Sequence, residues 1–304
     1  MAINKVVRAA LKAISYRDID VKKNYLLHRN FVNLTHRHYL KTYKSWDCHI
    51  DSEKHSIPIR IYSPGEGADY PVLLFFHGGG WVTGNIDTYS KVCANMARMT
   101  EHKVVSVDYR LAPEHPFPAG LEDCYTVARA FISNSNINNR EVILIGDSAG
   151  GNLAAALSIM ARDRKEFHVK KQILVYPATY NDHSETSPYA SVRENGTDYL
   201  LTSKRVCDYM DLYKSKNEDK YNQYFAPLLA DDLTNQPDTL VITAEFCPLR
   251  DEGEHYGKRL REAGNNVDIF RVKDALHGFF TLPPSFPQLK LCYEIINSFL
   301  GNTR

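Results

Sequence analysis

The chain lacks the patterns that mark secreted, metal-binding and membrane-spanning proteins. Its six cysteines are scattered, with no C-x-x-C pair and no zinc-like spacing, so we expect reduced, mostly buried thiols, no metal site and no cofactor. No apolar run approaches the roughly 18 residues of a membrane span. Residues 1–14 are interrupted by Lys5, Arg8 and Lys12 and lack the apolar core of a signal peptide. A cytoplasmic location is the simplest expectation.

The chain also has no excess of charge of either sign. Its 37 Lys and Arg residues nearly balance its 36 Asp and Glu residues, for a formal net charge of +1. Such a chain has no global field that would attract nucleic acid or an anionic membrane. We therefore expect a small-molecule partner, and the oligomeric state, a homodimer included, is left open. At 304 residues the chain suits a single α/β domain with an insertion.

The chain is organised around a short stretch in its middle, residues 142–156. The branched aliphatic run at 142–145 predicts a strand buried on both faces, and the alanine-rich segment from Asn152 predicts a buried helix. Between them, Gly146, Ser148 and Gly150 satisfy G-x-S-x-G, a turn that holds a nucleophilic serine clear of the backbone. A glycine-rich turn with an incidental serine is the alternative. The flanking strand and helix favour Ser148 as a nucleophile.

A second glycine-rich stretch, H-G-G-G-W at residues 77–81, follows a predicted interior strand at 71–76. Consecutive glycines let a backbone approach a ligand closely and turn its amides toward developing negative charge. The alternative is a flexible loop. Because an H-G-G-G loop accompanies the serine turn in hydrolases, we expect these glycines to form an oxyanion hole.

The predicted elements alternate between strands and helices over most of the chain. Residues 46–178 start with two polar strands, expected to be antiparallel edge strands, and continue with alternating helices and apolar strands. Alternation of this kind predicts an α/β fold, with a mostly parallel sheet and helices on both faces. Residues 179–224 break the alternation and predict an insertion, and residues 225–304 resume it. The helices predicted within residues 1–45 need a partner surface and are expected to form part of a cap, with membrane-surface binding as the weaker alternative.

Three motifs together resemble those of the hormone-sensitive-lipase-like α/β-hydrolases, the bacterial family IV carboxylesterases. They are H-G-G-G-W at 77–81, D-Y-R-L-A-P-E at 108–114 and G-D-S-A-G-G at 146–151. The resemblance implies an esterase of the α/β-hydrolase fold, with a helical cap to which residues 179–224 contribute. By position in the motifs, the oxyanion donors would be the amides of Gly79, Gly80 and Ala149. The seven tyrosines of the insertion suit either an acyl pocket or packing of the cap on itself.

The expected base is His277, which lies in A-L-H-G-F after the last predicted strand, in the order serine, acid, histidine. The family pattern at the acid is D-P-L-x-D-E, whose first aspartate orients the histidine, and this chain has Cys247 in that place. A thiol with an unperturbed pKa of about 8.5 is mostly neutral at neutral pH and is a weak acceptor. Cys247 is therefore expected to be a poor direct substitute.

Two nearby carboxylates are candidates for the missing acid. If a helix starts near Pro248, Asp251 lies one turn after Cys247 on roughly the same face. Glu245 precedes Cys247 by two positions and would share its side of an extended strand. We predict Asp251 as the acid, with a Ser-His dyad as the second alternative and Glu245 as the third. Because relatives carry an aspartate at the place of Asp251 as well, helix capping or loop hydrogen bonding is the competing interpretation.

The predicted function is hydrolysis of short-chain or small carboxylic esters. Ser148 would attack the ester carbonyl, and His277 would take its proton and return it to the leaving alcohol. Two other functions stay open. The loss of the acid would suit a non-catalytic or weakly active ligand-binding protein, although the intact Ser148, His277 and glycines oppose this. A deacetylase or amidase would use the same parts on a different leaving group.

Overall fold

The computed structural model describes residues 20–34, 44–66, 70–133 and 141–302. The strands are β1 (Ser45–Asp51), β2 (Ser56–Tyr62), β3 (Val72–Phe76), β4 (Lys103–Val107), β5 (Val142–Asp147), β6 (Lys171–Val175), β7 (Asp238–Phe246) and β8 (Val267–Leu276). The helices are α1 (Val21–Leu34), α2 (Ser90–Thr100), α3 (Ala119–Ile132), α4 (Ala149–Arg164), α5 (Ala190–Glu194), α6 (Ser203–Tyr213), α7 (Arg250–Glu262) and α8 (Pro287–Leu300). Short 3₁₀ turns lie at Asn217–Tyr221, Pro227–Leu229 and Phe279–Thr281.

The described strands form one sheet in the order β1-β2-β4-β3-β5-β6-β7-β8. From β4 to β8 every neighbouring pair is parallel, whereas β1 pairs with β2, and β2 with β4, in antiparallel fashion. The central strands β3 and β5 are buried along their whole length, because the sheet is covered on both faces where it is parallel. The mostly parallel sheet predicted from the alternation is confirmed.

Strand β2 differs from the sequence prediction. It was expected to be an exposed edge strand, but it lies between β1 and β4, and Ile57, Ile59 and Tyr62 are buried. The charged residue of this strand, Arg60, is buried as well, and its guanidinium donates to both carboxylate oxygens of Asp47 on β1, at 2.5 and 2.9 Å. A charged group pairs in this way when it leaves water. The edge of the sheet is therefore β1.

Helix α1 contacts α6 and the loop that precedes α2. Lys22 forms an ion pair with Asp211 of α6, and His28 Nε2 lies 2.9 Å from the hydroxyl oxygen of Tyr209, also on α6. Arg29 donates to the carbonyl oxygen of Val82 at 2.6 Å. The first predicted helix, within residues 1–19, and the tyrosines at 39 and 43 lie outside the described residues.

The state of the cysteines and the lengths of the helices agree with the expectations from the sequence. All six thiols are free, and four of them, Cys93, Cys124, Cys247 and Cys292, are buried, which confirms the expectation of mostly buried reduced thiols. None of the helices within the described ranges is both long and apolar enough to cross a membrane.

Candidate active site

Ser148 lies at the sharp turn between β5 and α4. Its backbone has φ 55° and ψ −118°, a conformation that residues other than glycine rarely adopt. The turn is tight enough that a Cβ atom on Gly146 would lie 2.2 Å from the carbonyl oxygen of Gly150. A Cβ atom on Gly150 would lie 1.9 Å from the carbonyl oxygen of Phe76. The two glycines of the motif are therefore required by the close approach of backbone on either side of the serine.

His277 and Cys247 are brought together by the pairing of β7 with β8. A β-bulge after Ala244 sets the register so that Phe246 pairs with Leu276, and the next residues on these parallel strands are Cys247 and His277. The sulfur of Cys247 lies 3.1 Å from Nδ1 of His277. On the other side of the ring, Nε2 lies 3.0 Å from the hydroxyl oxygen of Ser148. We call this row of three side chains the Ser-His-Cys relay.

Both ends of the contact between Cys247 and His277 are electrically neutral near neutral pH. Burial raises the pKa of the Cys247 thiol well above its usual value, against the opposing effect of a hydrogen bond from the Leu249 amide, which donates to the sulfur at 3.4 Å. Burial also lowers the pKa of His277 to about 3. Desolvation disfavours the charged form of each group, so the pair is a thiol and a neutral imidazole rather than an ion pair.

Asp251, the acid predicted from the sequence, does not reach His277. Helix α7 begins at Arg250 rather than near Pro248, and the Asp251 carboxylate is bound by other groups. Its oxygens accept hydrogen bonds from the Ser191 amide at 2.8 Å and from Arg250 Nε at 2.7 Å. This geometry corrects the expectation for Asp251 and agrees with the competing structural interpretation.

The third-ranked carboxylate, Glu245, is also used elsewhere. Its Oε2 accepts a hydrogen bond from the backbone amide of Asp274 at 2.7 Å, which fixes the end of β8. Neither carboxylate considered from the sequence is therefore a partner of His277. The group that the structure brings to Nδ1 is the sulfur of Cys247 itself.

Gly79, Gly80 and Ala149 line the same cavity as Ser148 and His277. Gly79 and Gly80 have φ angles of 117° and 62°, which glycine adopts at little cost. Ala149 is the first residue of α4, where backbone amides have no acceptor within the helix and the helix dipole is positive. The structure thus brings together the three residues predicted to supply oxyanion donors.

The cavity above the serine has a volume of about 250 Å³ and a mostly apolar lining. The insertion at 179–224 supplies five of the lining residues, and the core supplies the others, Leu249 among them. The lining residues from the insertion are Leu200, Leu201, Arg205, Val206 and Tyr209. Of the seven tyrosines of that segment, Tyr209 lines the cavity, while Tyr213 stacks on Trp81 with ring centroids 4.4 Å apart.

Asp147, the residue before the nucleophile, is a site residue that sequence reasoning missed. Its carboxyl group is buried and accepts hydrogen bonds from the Gly78 amide at 2.8 Å and from the hydroxyls of Tyr89 and Tyr176 at 3.1 and 3.3 Å. Burial raises the pKa of Asp147 to about 7, against the lowering effect of these donors. Its position in G-D-S-A-G was the available signal, but the contacts with Tyr89 and Tyr176 come from distant parts of the chain.

Comparison with known proteins agrees with the fold. Residues 73–281 match the family model described as the alpha/beta hydrolase fold. An arylesterase of Saccharolobus solfataricus is 38% identical over 247 residues, which are 80% of this chain and 79% of that protein. The carboxylic ester hydrolase LipN of Mycobacterium tuberculosis is 38% identical over 248 residues, 78% of this chain and 64% of LipN. The solved structure of an esterase from Pyrobaculum calidifontis superposes with a TM-score of 0.87 at 35% identity and covers 97% of both chains.

Proposed function

The chain belongs to the alpha/beta hydrolase family, and we propose that it hydrolyses small carboxylic esters, with Ser148 as nucleophile and His277 as base. The observation that carries this proposal is the 3.0 Å contact between His277 Nε2 and the Ser148 hydroxyl, at a strained turn that faces a cavity. A nucleophile and a base within hydrogen-bonding distance are the signature of covalent catalysis. Ester hydrolysis is also what the names of the two relatives and the solved structure described above indicate.

In the proposed reaction, the Ser148 oxygen attacks the ester carbonyl carbon while its proton passes to His277 Nε2. The carbonyl oxygen becomes an oxyanion held by the amides of Gly79, Gly80 and Ala149. The intermediate collapses, the bond to the alcohol oxygen breaks, and His277 returns the proton to that alcohol. Water then attacks the acyl-enzyme with His277 again as base, and the carboxylic acid leaves.

Cys247 would set the fraction of His277 that carries its proton on Nδ1, the tautomer that catalysis needs. An aspartate at this place can only accept, so it holds the proton on Nδ1 and leaves Nε2 free to take the serine proton. A neutral thiol can accept from Nδ1, but it can also donate to Nδ1, and the proton then sits on Nε2 and faces Ser148. The second arrangement is unproductive. We therefore propose a working esterase in which the tautomer of His277 is only partly controlled. Its turnover should be below that of the Cys247→Asp variant.

The substrate range is proposed to be set by a cap built from residues 1–45 and 179–224. Support comes from α6, whose Val206 and Tyr209 line the cavity, and from α1, whose His28 contacts the Tyr209 hydroxyl. A mostly apolar cavity of about 250 Å³ favours short acyl groups. A cytoplasmic location stays a prediction, to be tested by cell fractionation, and light scattering would decide the oligomeric state, which is left open.

The test compares wild type with Ser148→Ala on p-nitrophenyl acetate, p-nitrophenyl butyrate and p-nitroacetanilide. We expect ester turnover in wild type, none above background in Ser148→Ala, and a Ser148-linked acyl group by mass spectrometry of the rapidly quenched enzyme. Ser184→Ala, which removes an exposed hydroxyl, is the matched control and keeps wild-type activity.

The other two functions give different results in the same assay. Faster turnover of the anilide than of the esters would indicate amidase or deacetylase chemistry. Wild-type turnover no better than that of Ser148→Ala would contradict the proposal and leave a binding protein on this scaffold.

A further inference from the structure

The buried carboxyl group of Asp147 connects two loops that meet at Ser148. We call residues 77–81 the oxyanion loop and residues 276–281 the histidine loop. We propose that Asp147 is a positioning residue that holds both loops against the nucleophile, and that the site is fully active only while this carboxyl group is ionised. This inference rests on the proposed function for its kinetic consequences, and its structural part has a readout independent of turnover.

The oxyanion loop is held through Gly78. The Gly78 amide donates to Asp147 Oδ1 at 2.8 Å, and a Cβ atom on Gly78 would lie only 2.8 Å from Asp147 Oδ2. The loop backbone therefore packs directly against the carboxyl group. Since Gly79 and Gly80 follow immediately, the position of their amides depends on this contact. An oxyanion donor acts only when it is fixed at the place where the charge develops.

The histidine loop is held through Tyr176, which follows β6. Its hydroxyl donates to Asp147 Oδ2 at 3.3 Å and accepts from the Phe280 amide at 3.3 Å. The Tyr176 ring also packs against the imidazole of His277, with centroids 4.6 Å apart. Hydrogen bonds thus run from the oxyanion loop through Asp147 and Tyr176 to the histidine loop. A displacement of one loop would therefore shift the other loop.

The carboxylate form is the one that this arrangement fits. Three donors converge on the two oxygens, the Gly78 amide and the hydroxyls of Tyr89 and Tyr176. Protonation would put a hydrogen on an oxygen that already faces donors, so at least one of these bonds would be lost or would reverse its direction. Burial raises the pKa of Asp147 to about 7, which places this loss within the neutral range.

The other titratable groups around Asp147 are not expected to change charge near neutral pH. Burial raises the pKa of Cys93 on α2, and it raises the pKa of the neighbouring hydroxyls well above the usual value. Those hydroxyls belong to Tyr89 before α2, Tyr109 after β4 and Tyr176 after β6. Burial lowers the pKa of His277 to about 3 and that of His77, the residue before Gly78, to about 4. Asp147 is therefore the group to which a neutral titration of the site is assigned.

The kinetic test follows kcat and KM against pH for wild type, Tyr176→Phe, Tyr89→Phe and Asp147→Asn. Wild-type kcat should rise with pH through a midpoint of about 7, as the carboxyl group ionises. Each tyrosine variant removes a donor that lowers the pKa of Asp147, so its midpoint should move to higher pH. Asp147→Asn should lose this rise, with kcat lower by about 10- to 100-fold and KM little changed, as expected for misplaced catalytic groups.

Tyr62→Phe is the matched control. It removes another buried hydroxyl, which donates to Ser90 Oγ at 2.9 Å and does not contact Asp147, so its midpoint should equal that of wild type. A purely structural role for the tyrosines would lower activity or stability without moving the midpoint. Should Asp147→Asn fail to fold, the two tyrosine variants decide the question. Unchanged midpoints in both of them would overturn the proposal.

A second readout needs no turnover. The chain has two tryptophans, and one of them, Trp81, belongs to the oxyanion loop and is buried. In a Trp46→Phe background, Trp81 fluorescence should titrate with the same midpoint and lose that transition in Asp147→Asn or shift it in Tyr176→Phe. A flat fluorescence profile over the neutral range would contradict the role of Asp147. If wild type hydrolyses no ester, the proposed function fails, while this titration still decides the inference.

Discussion

The sulfur of Cys247 lies 3.1 Å from Nδ1 of His277, in the place where hydrolases with a Ser-His-acid triad have a carboxylate. Burial keeps this thiol neutral, and the only other hydrogen bond to the sulfur within the described residues comes from the Leu249 amide. The contact therefore supplies an orienting partner for the imidazole without a negative charge to stabilise the imidazolium. Substitutions around this contact can separate the effect of orienting the imidazole from the effect of a negative charge beside it.

Asp251→Asn should affect stability more than catalysis. Asp251 joins the start of α7 to the Ser191 amide and to Arg250, and its side chain is 22% exposed. Weakening two hydrogen bonds of a charged group should lower the free energy of unfolding by about 1 to 2 kcal/mol. Urea denaturation measures this loss, while kcat on p-nitrophenyl butyrate should change by less than about 2-fold. A collapse of kcat to the Ser148→Ala level would restore Asp251 as the acid.

Arg29→Ala should loosen the backbone that directly follows the oxyanion loop. The Arg29 guanidinium donates to the carbonyl oxygens of Val82 and Ala112, at 2.6 and 2.8 Å, and to the carboxylate of Glu114. Its loss leaves two partly buried carbonyls without this donor, so we expect kcat/KM to fall by about 10-fold, equivalent to about 1.4 kcal/mol. Steady-state kinetics measures this change.

Lys23→Ala is the control for Arg29, because its side chain on the same helix is 83% exposed. Arg29→Lys keeps the charge but not the planar fork, so its activity should fall between those of wild type and Arg29→Ala. Equal kinetics for all four proteins would show that α1 does not influence the site.

The pH dependence of stability offers an independent check on Asp147. Its pKa is raised by burial to about 7 in the folded protein, whereas an unfolded aspartate titrates near 3.9. The folded state thus holds the proton more tightly, so the contribution of Asp147 to stability is fully present below about pH 4 and is lost as pH rises through about 7.

Asp147→Asn does not ionise and should escape that loss. The unfolding free energy of the variant relative to wild type should therefore increase between about pH 4 and 7 and level off above that range. Denaturation at a series of pH values measures the difference. A difference that stays constant with pH would mean that the Asp147 carboxyl group does not titrate in this range.

Much of the fold, together with Ser148 and His277 of the site, could be predicted from local sequence patterns. The apolar runs of β3 and β5 and the glycines around Ser148 are local features, because a buried parallel strand and a tight turn each restrict their own residues. The order of the motifs along the chain also indicated His277. These predictions needed no knowledge of which strands are neighbours.

The remaining part depended on long-range geometry. Which side chain reaches His277 is set by the bulge that pairs Phe246 with Leu276 and by the start of α7 at Arg250. The helix starts two residues later than the prediction assumed, so Cys247 and Asp251 do not share one helical face. The position of β2 was missed for a similar reason, since the pairing of Arg60 with Asp47 becomes visible only when β1 lies beside β2.

The most direct test of the account is kcat for Cys247→Asp and Cys247→Ser, measured beside wild type and Ser148→Ala on p-nitrophenyl butyrate. An aspartate at this place would accept from His277 Nδ1, fix the tautomer and stabilise the imidazolium. Because neutralising that acid in a serine protease costs about 10⁴ in turnover, we expect Cys247→Asp to exceed wild type by about 10- to 1,000-fold. Cys247→Ser, which also accepts and donates, should stay within about 10-fold of wild type. A Cys247→Asp enzyme that folds and is no faster than wild type would contradict the account.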